Sequence, residues 1–350
     1  MKLGLIARAE DRGLGNQTWE IARALRPDRV LVVDMGELVH GFPAFIDRYT
    51  ALGLNVTVIS HEDMSSPAKV GPWCAGLDVI YTAETFYGVG FPAIAYAEGA
   101  RTVCHYNPEF FKHWNEPTWP RPTEWWAPSP WMPRPDRQPV DVRFVPMPVP
   151  TDRWNPSAER VSGHVRFLFA GGKPAAGDRN GLRQLFMALR ECTQPMVVTG
   201  RVQLNYMTAP GPLPRNVAYR AAPGNVKDYW RAYGDADVLV MPRRYGGLCL
   251  PAIEAAGAGL GLVMTDCDPN WYYPATLVEA RLSDPVATPL GDIDSWECVP
   301  RFLAHVMDTI AGEPWRVTQM RERSRQWAID NSWLALEGRW RAALEEAARS

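Results

Sequence analysis

The residues whose types and spacing best suit chemistry lie in the run ADVLVMPRRYGGLCLPAIE, from Ala236 to Glu254. A short apolar strand ends at Pro242, paired glycines follow at Gly246 and Gly247, and the spacing predicts a helix opening at Pro251. Backbone N–H groups at such a turn and helix start can donate to an anionic or polyhydroxyl ligand. Glu254, expected on the first turn of that helix, can accept from two sugar hydroxyls. The same spacing also fits an ordinary strand-turn-helix connection in which Glu254 only steadies the helix N-terminus.

A second group lies upstream, in FLFAGGKPAAGDRNGL from Phe167 to Leu182. An apolar strand runs into glycines and then into Lys173 and Arg179. Two cations that converge on a diphosphate offset its charge and stabilise it as a leaving group; the alternative is a pair of solvated loop residues. The N-terminal turn Arg12-Gly-Leu-Gly-Asn-Gln17 is also suited to phosphate. Gly13 and Gly15 allow close backbone approach, Asn16 sits beside them, and a helix expected from Gln17 aims its positive end at the same space. With Asp34 ending the next strand, the turn imitates a dinucleotide-binding fingerprint, but Thr18 stands at the third glycine position.

Glu84 follows an expected strand over 78–82, and His105 ends another over 101–105, which puts both at carboxyl ends of strands. A carboxylate there can orient or deprotonate an acceptor hydroxyl, and an imidazole can hydrogen-bond it. A solvated glutamate and a core-edge histidine bonded to backbone fit equally well. Trp119, Trp125, Trp126 and Trp131 stand in a proline-rich stretch and could stack on a sugar or a nucleobase, or pack into the domain. Arg321, Arg323 and Arg325 read as a solvated helix face.

These candidates need a scaffold, and the chain shows one. Strand-like runs at 3–8, 30–34, 56–60, 78–82 and 101–105 alternate with helical or loop segments, and a second series runs through 165–170, 196–199, 217–219, 238–241 and 261–265. Such alternation indicates two successive α/β halves with parallel sheets, whose ligands bind at the carboxyl ends of the strands. Eleven prolines between 116 and 150 imply loops ending in a linker. From about 299 to 348 the chain reads as helical. A length of 350 residues, 46% hydrophobic and 22% charged, suits two soluble domains. A net charge of −2 argues against a surface built to bind nucleic acid by counterion release. Six cysteines without a C-x-x-C pair indicate neither a disulfide framework nor a zinc knuckle. No apolar run reaches membrane-spanning length and no signal-peptide pattern opens the chain, so a cytoplasmic protein without an integral membrane segment is expected.

The 242–254 segment resembles the donor loop of retaining GT-B glycosyltransferases, the family of glycogen-synthase-like and phosphatidylinositol-mannosyltransferase-like enzymes. Pro242, Gly247, Leu250 and Glu254 match its pattern, whereas Gly246 occupies the place of the first of two glutamates. VPMPVPTDRW, from Val145 to Trp154, is similar to the family's interdomain join. The resemblance implies a GT-B fold of two facing Rossmann-like domains. The acceptor domain would span 1–148 and the nucleotide-sugar donor domain 149–325, with a C-terminal helical crossover over 326–350 returning to the first domain. It implies transfer of a sugar from a UDP- or GDP-sugar with retention, without metal and without a cofactor, the nucleotide sugar being a co-substrate. Lys173 and Arg179 would then hold the diphosphate and Glu254 the ribose, beside Gly246, Gly247 and Leu248. Gly15 and Asn16 would touch donor phosphate or acceptor, and Glu84 and His105 would serve catalysis. Where the family often has His-x-His, this chain has Tyr81 and Ala83. The acceptor stays open among a hydroxylated DNA base, a glycan and a protein. Two other readings remain: an NAD-dependent oxidoreductase using Gly13, Gly15 and Asp34, and a nucleotide-sugar-binding protein that lost turnover with the first glutamate.

Overall fold

The structure, a computed structural model, describes all residues except 11–12, 36–41, 107–120, 131–141, 154–162, 173–177, 203–209, 223–228 and 289–290. The chain divides into two compact units, one formed by Met1–Met147 with Trp333–Ser350 and the other by Pro148–Ser332.

The first unit runs β1 (Leu3–Arg8), α1 (Gly13–Leu25), β2 (Arg29–Asp34), α2 (Phe42–Ala51), β3 (Val56–Ser60), α3 (Pro67–Cys74), β4 (Val79–Ala83), α4 (Phe91–Ala97), β5 (Arg101–His105), β6 (Glu124–Ala127) and β7 (Val142–Phe144). Among the described residues these strands form one sheet in the order β3-β2-β1-β4-β5-β6-β7, with every pairing parallel. The central strands are near-continuous apolar runs because helices cover both faces of a parallel sheet; all five residues of β4 are buried. The proline-rich stretch differs from expectation. β6 and β7 lie within it and extend the sheet, and Trp125 and Trp126 are buried in β6 rather than offered for stacking. Trp119 and Trp131 lie outside the described residues.

The second unit repeats the plan with β8 (Val165–Gly172), α5 (Leu182–Leu189), β9 (Met196–Val202), β10 (Val217–Ala221), β11 (Val238–Met241), α6 (Leu250–Gly257), β12 (Gly261–Thr265) and β13 (Ala275–Val278). Its parallel sheet has the order β10-β9-β8-β11-β12-β13. An antiparallel hairpin that the sequence reading did not anticipate follows, β14 (Ala280–Thr288) and β15 (Gly291–Cys298). α7 (Pro300–Gly312) and α8 (Trp315–Asp330) complete the unit, and α8 packs on α6 and β12. Position 325 therefore lies inside α8. Arg321 is not solvated: at 5% exposure it donates Nε–H to the Gly259 carbonyl at 3.1 Å, and its Nη1 lies 3.9 Å from Asp237. The chain leaves this unit at Ser332, which bridges to Val149, where the unit begins.

The last helix, α9 (Trp333–Ala347), packs on α1, β4 and β5 of the first unit. Its Trp340 is fully buried, with ring centroids 5.5 Å from Tyr81, 5.3 Å from His105 and 5.6 Å from Trp126. The indole N–H reaches the Pro146 carbonyl at 2.9 Å, so the ring is satisfied as well as packed. No helix among the described residues is long and apolar enough to cross a membrane.

Candidate functional site

In the second unit the buried strand β11 delivers Pro242 and Arg243 to its carboxyl end. Arg243 turns back under its own loop at 2% exposure. Its Nε and Nη2 donate to the Tyr245 carbonyl at 3.3 and 3.2 Å, and Nη1 donates to the Gly247 carbonyl at 3.3 Å. A buried guanidinium must be hydrogen-bonded, and here the loop carbonyls curl around it. Gly246 adopts φ +119°, and a Cβ there would overlap the guanidinium groups of both Arg243 and Arg179. Only glycine tolerates this backbone and this crowding together.

Arg179 reaches the same point from the loop after β8. Asp178 accepts from the N–H groups of Leu182 at 3.0 Å and Arg183 at 2.8 Å, capping α5 and fixing the residue next to it. The Arg179 guanidinium lies 5.6 Å from the Tyr245 ring centroid, a cation–π contact. Gly181, at φ +74°, presses so close to the Pro242 carbonyl that no Cβ would fit. Lys173 lies outside the described residues.

α6 opens at Leu250, one residue before Pro251, so Glu254 stands in the second turn rather than the first. Its carboxylate, half-buried, accepts from the Tyr233 hydroxyl. The Cys249 N–H donates to the Tyr273 hydroxyl at 2.9 Å. Gly247 is buried and Leu248 half-buried. The nearby thiol of Cys267 is pushed up to about 12 by burial, so it stays protonated and is no nucleophile at neutral pH. Arg179 and Gly246 thus come together, with Gly247 and Leu248 following in the same loop and Glu254 on the helix that the loop enters.

Sequence reasoning missed three parts of this arrangement. Arg243 was unassigned, although an arginine pair directly after a buried strand was its visible signal. Arg244 was also missed: its Nη2 donates to Ser283 at 3.1 Å and Ser295 at 3.2 Å and lies 3.2 Å from Glu297, while its carbonyl accepts from the Trp296 N–H at 2.8 Å. The β14–β15 hairpin therefore braces the loop. A D-x-D pair, held absent from strand ends in the sequence reading, does stand just after β12 as Asp266 and Asp268. Asp268 accepts from the Trp271 indole at 2.9 Å, and no group of three or more His, Cys, Asp or Glu side chains suited to a metal occurs among the described residues.

In the first unit, α1 begins at Gly13 rather than Gln17, which places Gly15 and Asn16 in its first turn. Both are buried, and the Asn16 Oδ1 accepts from Arg48 at 3.4 Å. Glu84 follows β4 at φ +70°, and its N–H donates to the His105 carbonyl at 2.7 Å. Tyr87, at φ +61°, has its phenol pushed up by burial first and by the Glu84 charge second, with Arg8 opposing. Arg8 in turn lies 3.3 Å from Glu10. Glu84 thus belongs to a charged group at the ends of β1 and β4 whose other members were not anticipated.

His105 departs from its expected role. It is 2% exposed, with Nε2 donating to the Val145 carbonyl at 2.7 Å and Nδ1 accepting from the Tyr81 hydroxyl at 2.8 Å. Burial pushes its pKa down to about 4. Both ring nitrogens are committed to the core under Trp340, so the imidazole has no nitrogen to offer an acceptor.

No protein-family model matches the sequence, and no curated protein does. The structure is similar to that of HepE (Alr3699) from Anabaena in complex with UDP, with a TM-score of 0.69 and 12% identity over 99% of this chain and 100% of that one. The same protein in complex with UDP-glucose aligns with a TM-score of 0.66 and 12% identity over 99% and 100% of the chains. A glycosyltransferase from Rickettsia africae aligns at 0.66 and 13% over 99% and 98%. Sucrose-phosphate synthase from Thermosynechococcus elongatus aligns at 0.64 and 14% over 99% and 100%. At such identities the likeness is one of fold. The chain has the GT-B fold of glycosyltransferases: two Rossmann-like units with parallel sheets and a C-terminal helix that rejoins the first.

Proposed function

We propose that this protein is a glycosyltransferase that takes a sugar from a UDP- or GDP-sugar. The observation that carries the reading is the loop after β11, where Arg179 meets the Gly246 turn at the carboxyl ends of β8 and β11 and the chain then enters α6, which carries Glu254. Open α/β sheets bind ligands at that edge. HepE, similar in fold along its whole length, was crystallised with UDP and with UDP-glucose.

In this reading Arg179, with Lys173 as the sequence suggests, offsets the diphosphate and so stabilises the leaving group as the bond to the anomeric carbon breaks. Glu254 accepts from the ribose hydroxyls, held in its rotamer by Tyr233. Transfer proceeds with retention and without metal, the leaving phosphate assisting the incoming hydroxyl. The acceptor is a hydroxyl of a modified DNA base, a glycan or a protein, and Glu84 is the first-unit carboxylate assigned to orient it. His105 serves the core and takes no part in transfer. The enzyme works in the cytoplasm.

A melting-temperature panel with UDP, GDP, ADP and their sugar conjugates tests the proposal. At least one uridine or guanosine compound raises the midpoint, by RT ln(1 + [L]/Kd) in free energy. If none does, the donor reading fails. Because Gly246 replaces a glutamate of the resembled pattern, a second reading is a binding protein without turnover; release of the nucleoside diphosphate in the presence of acceptor separates the two.

A further inference from the structure

We propose that the second unit carries a phosphate-binding site separate from the donor loop, formed by Thr199 and Arg201 on β9 and Arg220 on β10, which holds the phosphoryl group of a small phosphorylated ligand. The inference goes beyond the donor reading and does not depend on it.

The register of the sheet brings the three residues together. In the parallel pairing of β9 with β10, Arg220 stands opposite Thr199, and Arg201 follows Thr199 by two residues. Residues in register and residues two apart share one face of a pleated sheet, so two guanidinium groups and a hydroxyl lie side by side near the carboxyl ends of adjacent strands. The opposite face is the one that α5 covers. There Tyr219 leans over Gly200, where a Cβ would overlap its hydroxyl, and its ring meets Phe186 of α5 edge-on with centroids 5.2 Å apart. On the face of the arginines the flanking residues are small: Arg201 pairs with Ala170 of β8, and Ala218 precedes Arg220 by two residues. These methyl groups leave room above the strands, and accordingly Ala170, Thr199 and Arg201 are only half-buried while Ala218 and Arg220 are exposed. β10 is the edge strand, two places from β8, which at about 4.8 Å per strand sets Arg220 on the order of 10 Å to the side of the strand that leads to Arg179.

The open donors set the ligand. Among the described residues none of these three side chains has a hydrogen-bond or ion-pair partner, and the Arg201 Nε is buried from water as well. Arg243 is the contrast, since its guanidinium is filled by the loop carbonyls around it. A buried N–H without an acceptor costs free energy, and more when the group is charged. Like charges close together on neighbouring strands add repulsion. One oxyanion between the arginines removes both costs. Guanidinium groups only donate, so the ligand must supply acceptors. A phosphoryl group brings three acceptor oxygens and a charge of about −2, which answers two cations and a hydroxyl together. A carboxylate would leave one of the cations unbalanced, and a sugar hydroxyl would find no carboxylate among the three.

Calorimetry on the full chain titrates pyrophosphate, and separately UDP and GDP, into the wild type, into Arg201→Gln/Arg220→Gln and into Arg179→Gln. The double variant is expected to bind pyrophosphate at least about tenfold more weakly than the wild type, while its affinity for the nucleoside diphosphate stays within about twofold. Arg179→Gln shows the reverse, a weakened nucleotide and a retained pyrophosphate site. If the wild type does not bind pyrophosphate, or the double variant binds it as tightly, the inference is overturned. If the double variant loses UDP or GDP along with pyrophosphate, the two arginines hold the donor's own diphosphate, and the separate site is overturned while the donor reading stands. If pyrophosphate binding depends on the two arginines and no nucleotide binds at all, the donor reading falls and the inference stands. Should the double variant fail to fold, Arg220→Gln alone, at an exposed position of the edge strand, decides the matter by the same pyrophosphate comparison.

Discussion

The main-chain N–H of Arg244 donates to the carbonyl oxygen of Arg179 at 2.7 Å, which ties the loop after β11 to the loop after β8. The two loops come from neighbouring strands of the sheet, and this bond sets their register. It brings Gly181 against Pro242 and the Arg179 guanidinium over Gly246. The candidate site is thus a property of the contact between the loops.

Replacing Gly181 tests that contact. Gly181→Ala meets a left-handed backbone and the Pro242 carbonyl together, whereas Gly53→Ala meets a comparable φ of +71° with nothing within 4 Å of the new Cβ. Gly53→Ala costs only the conformational strain, about 1–2 kcal/mol. Gly181→Ala costs more and weakens nucleotide binding at least about tenfold, because the loops must part. Equal melting temperatures and equal nucleotide affinities for the two variants would count against the coupling.

Glu254→Gln keeps the shape of the side chain and removes its charge. Binding of the nucleotide falls by about tenfold or more in calorimetry, since a charged acceptor is worth roughly 1.5–3 kcal/mol. Tyr233→Phe, which leaves the carboxylate and deletes only the hydroxyl that steadies it, has the smaller effect. An unchanged Kd in Glu254→Gln would remove the ribose assignment.

His105 makes stability depend on pH. Its folded pKa of about 4 lies below the ordinary 6.5, so in the window between them the unfolded chain binds a proton that the folded chain refuses. Its contribution is fully present above 6.5 and is lost as pH falls towards 4, a change of about 3 kcal/mol. Urea unfolding at pH 7.5, 5.5 and 4.5 reads it against His105→Gln, which has no such titration. The stability difference between the two proteins shrinks as pH falls; a constant difference would show that the imidazole is not held neutral.

Trp340→Ala empties the space above Tyr81, His105 and Trp126. Destabilisation of about 3–5 kcal/mol is expected from chemical denaturation, as for large aromatic residues deleted from a core. A loss under about 1 kcal/mol would mean that α9 packs more loosely than its ring contacts indicate.

The sheet strands were legible because parallel strands buried on both faces are written as apolar runs, and those at Leu3–Arg8 and Val238–Met241 stand out against their neighbours. The loop after β11 was legible from Pro242, Gly247 and Glu254, whose spacing is local. Partners brought in from far along the chain were not. His105 has the type and strand-end position of a catalytic residue, but its fate is decided by Val145 and Trp340, which no local pattern connects to it. Arg321 looked solvated beside Arg323 and Arg325 because its partners, Asp237 and Gly259, arrive through the fold. β6 was hidden by surrounding prolines, which break regular structure nearby but leave room for four residues of strand. Arg243 was overlooked because basic residues after a strand are usually solvent-facing, and only the curled loop shows otherwise.

The return of α9 to the first unit sets an order of assembly during synthesis. The second unit, Pro148–Ser332, is one uninterrupted stretch and leaves the ribosome whole. The first unit is made earlier in almost its entirety, yet Tyr81, His105 and Trp126 wait for Trp340, which is translated after all of the second unit. Until then that apolar surface is open to water and to other chains. The half that is made first is therefore the half that finishes last, and a nascent chain stalled within its final helix would carry a finished second unit beside an unfinished first one.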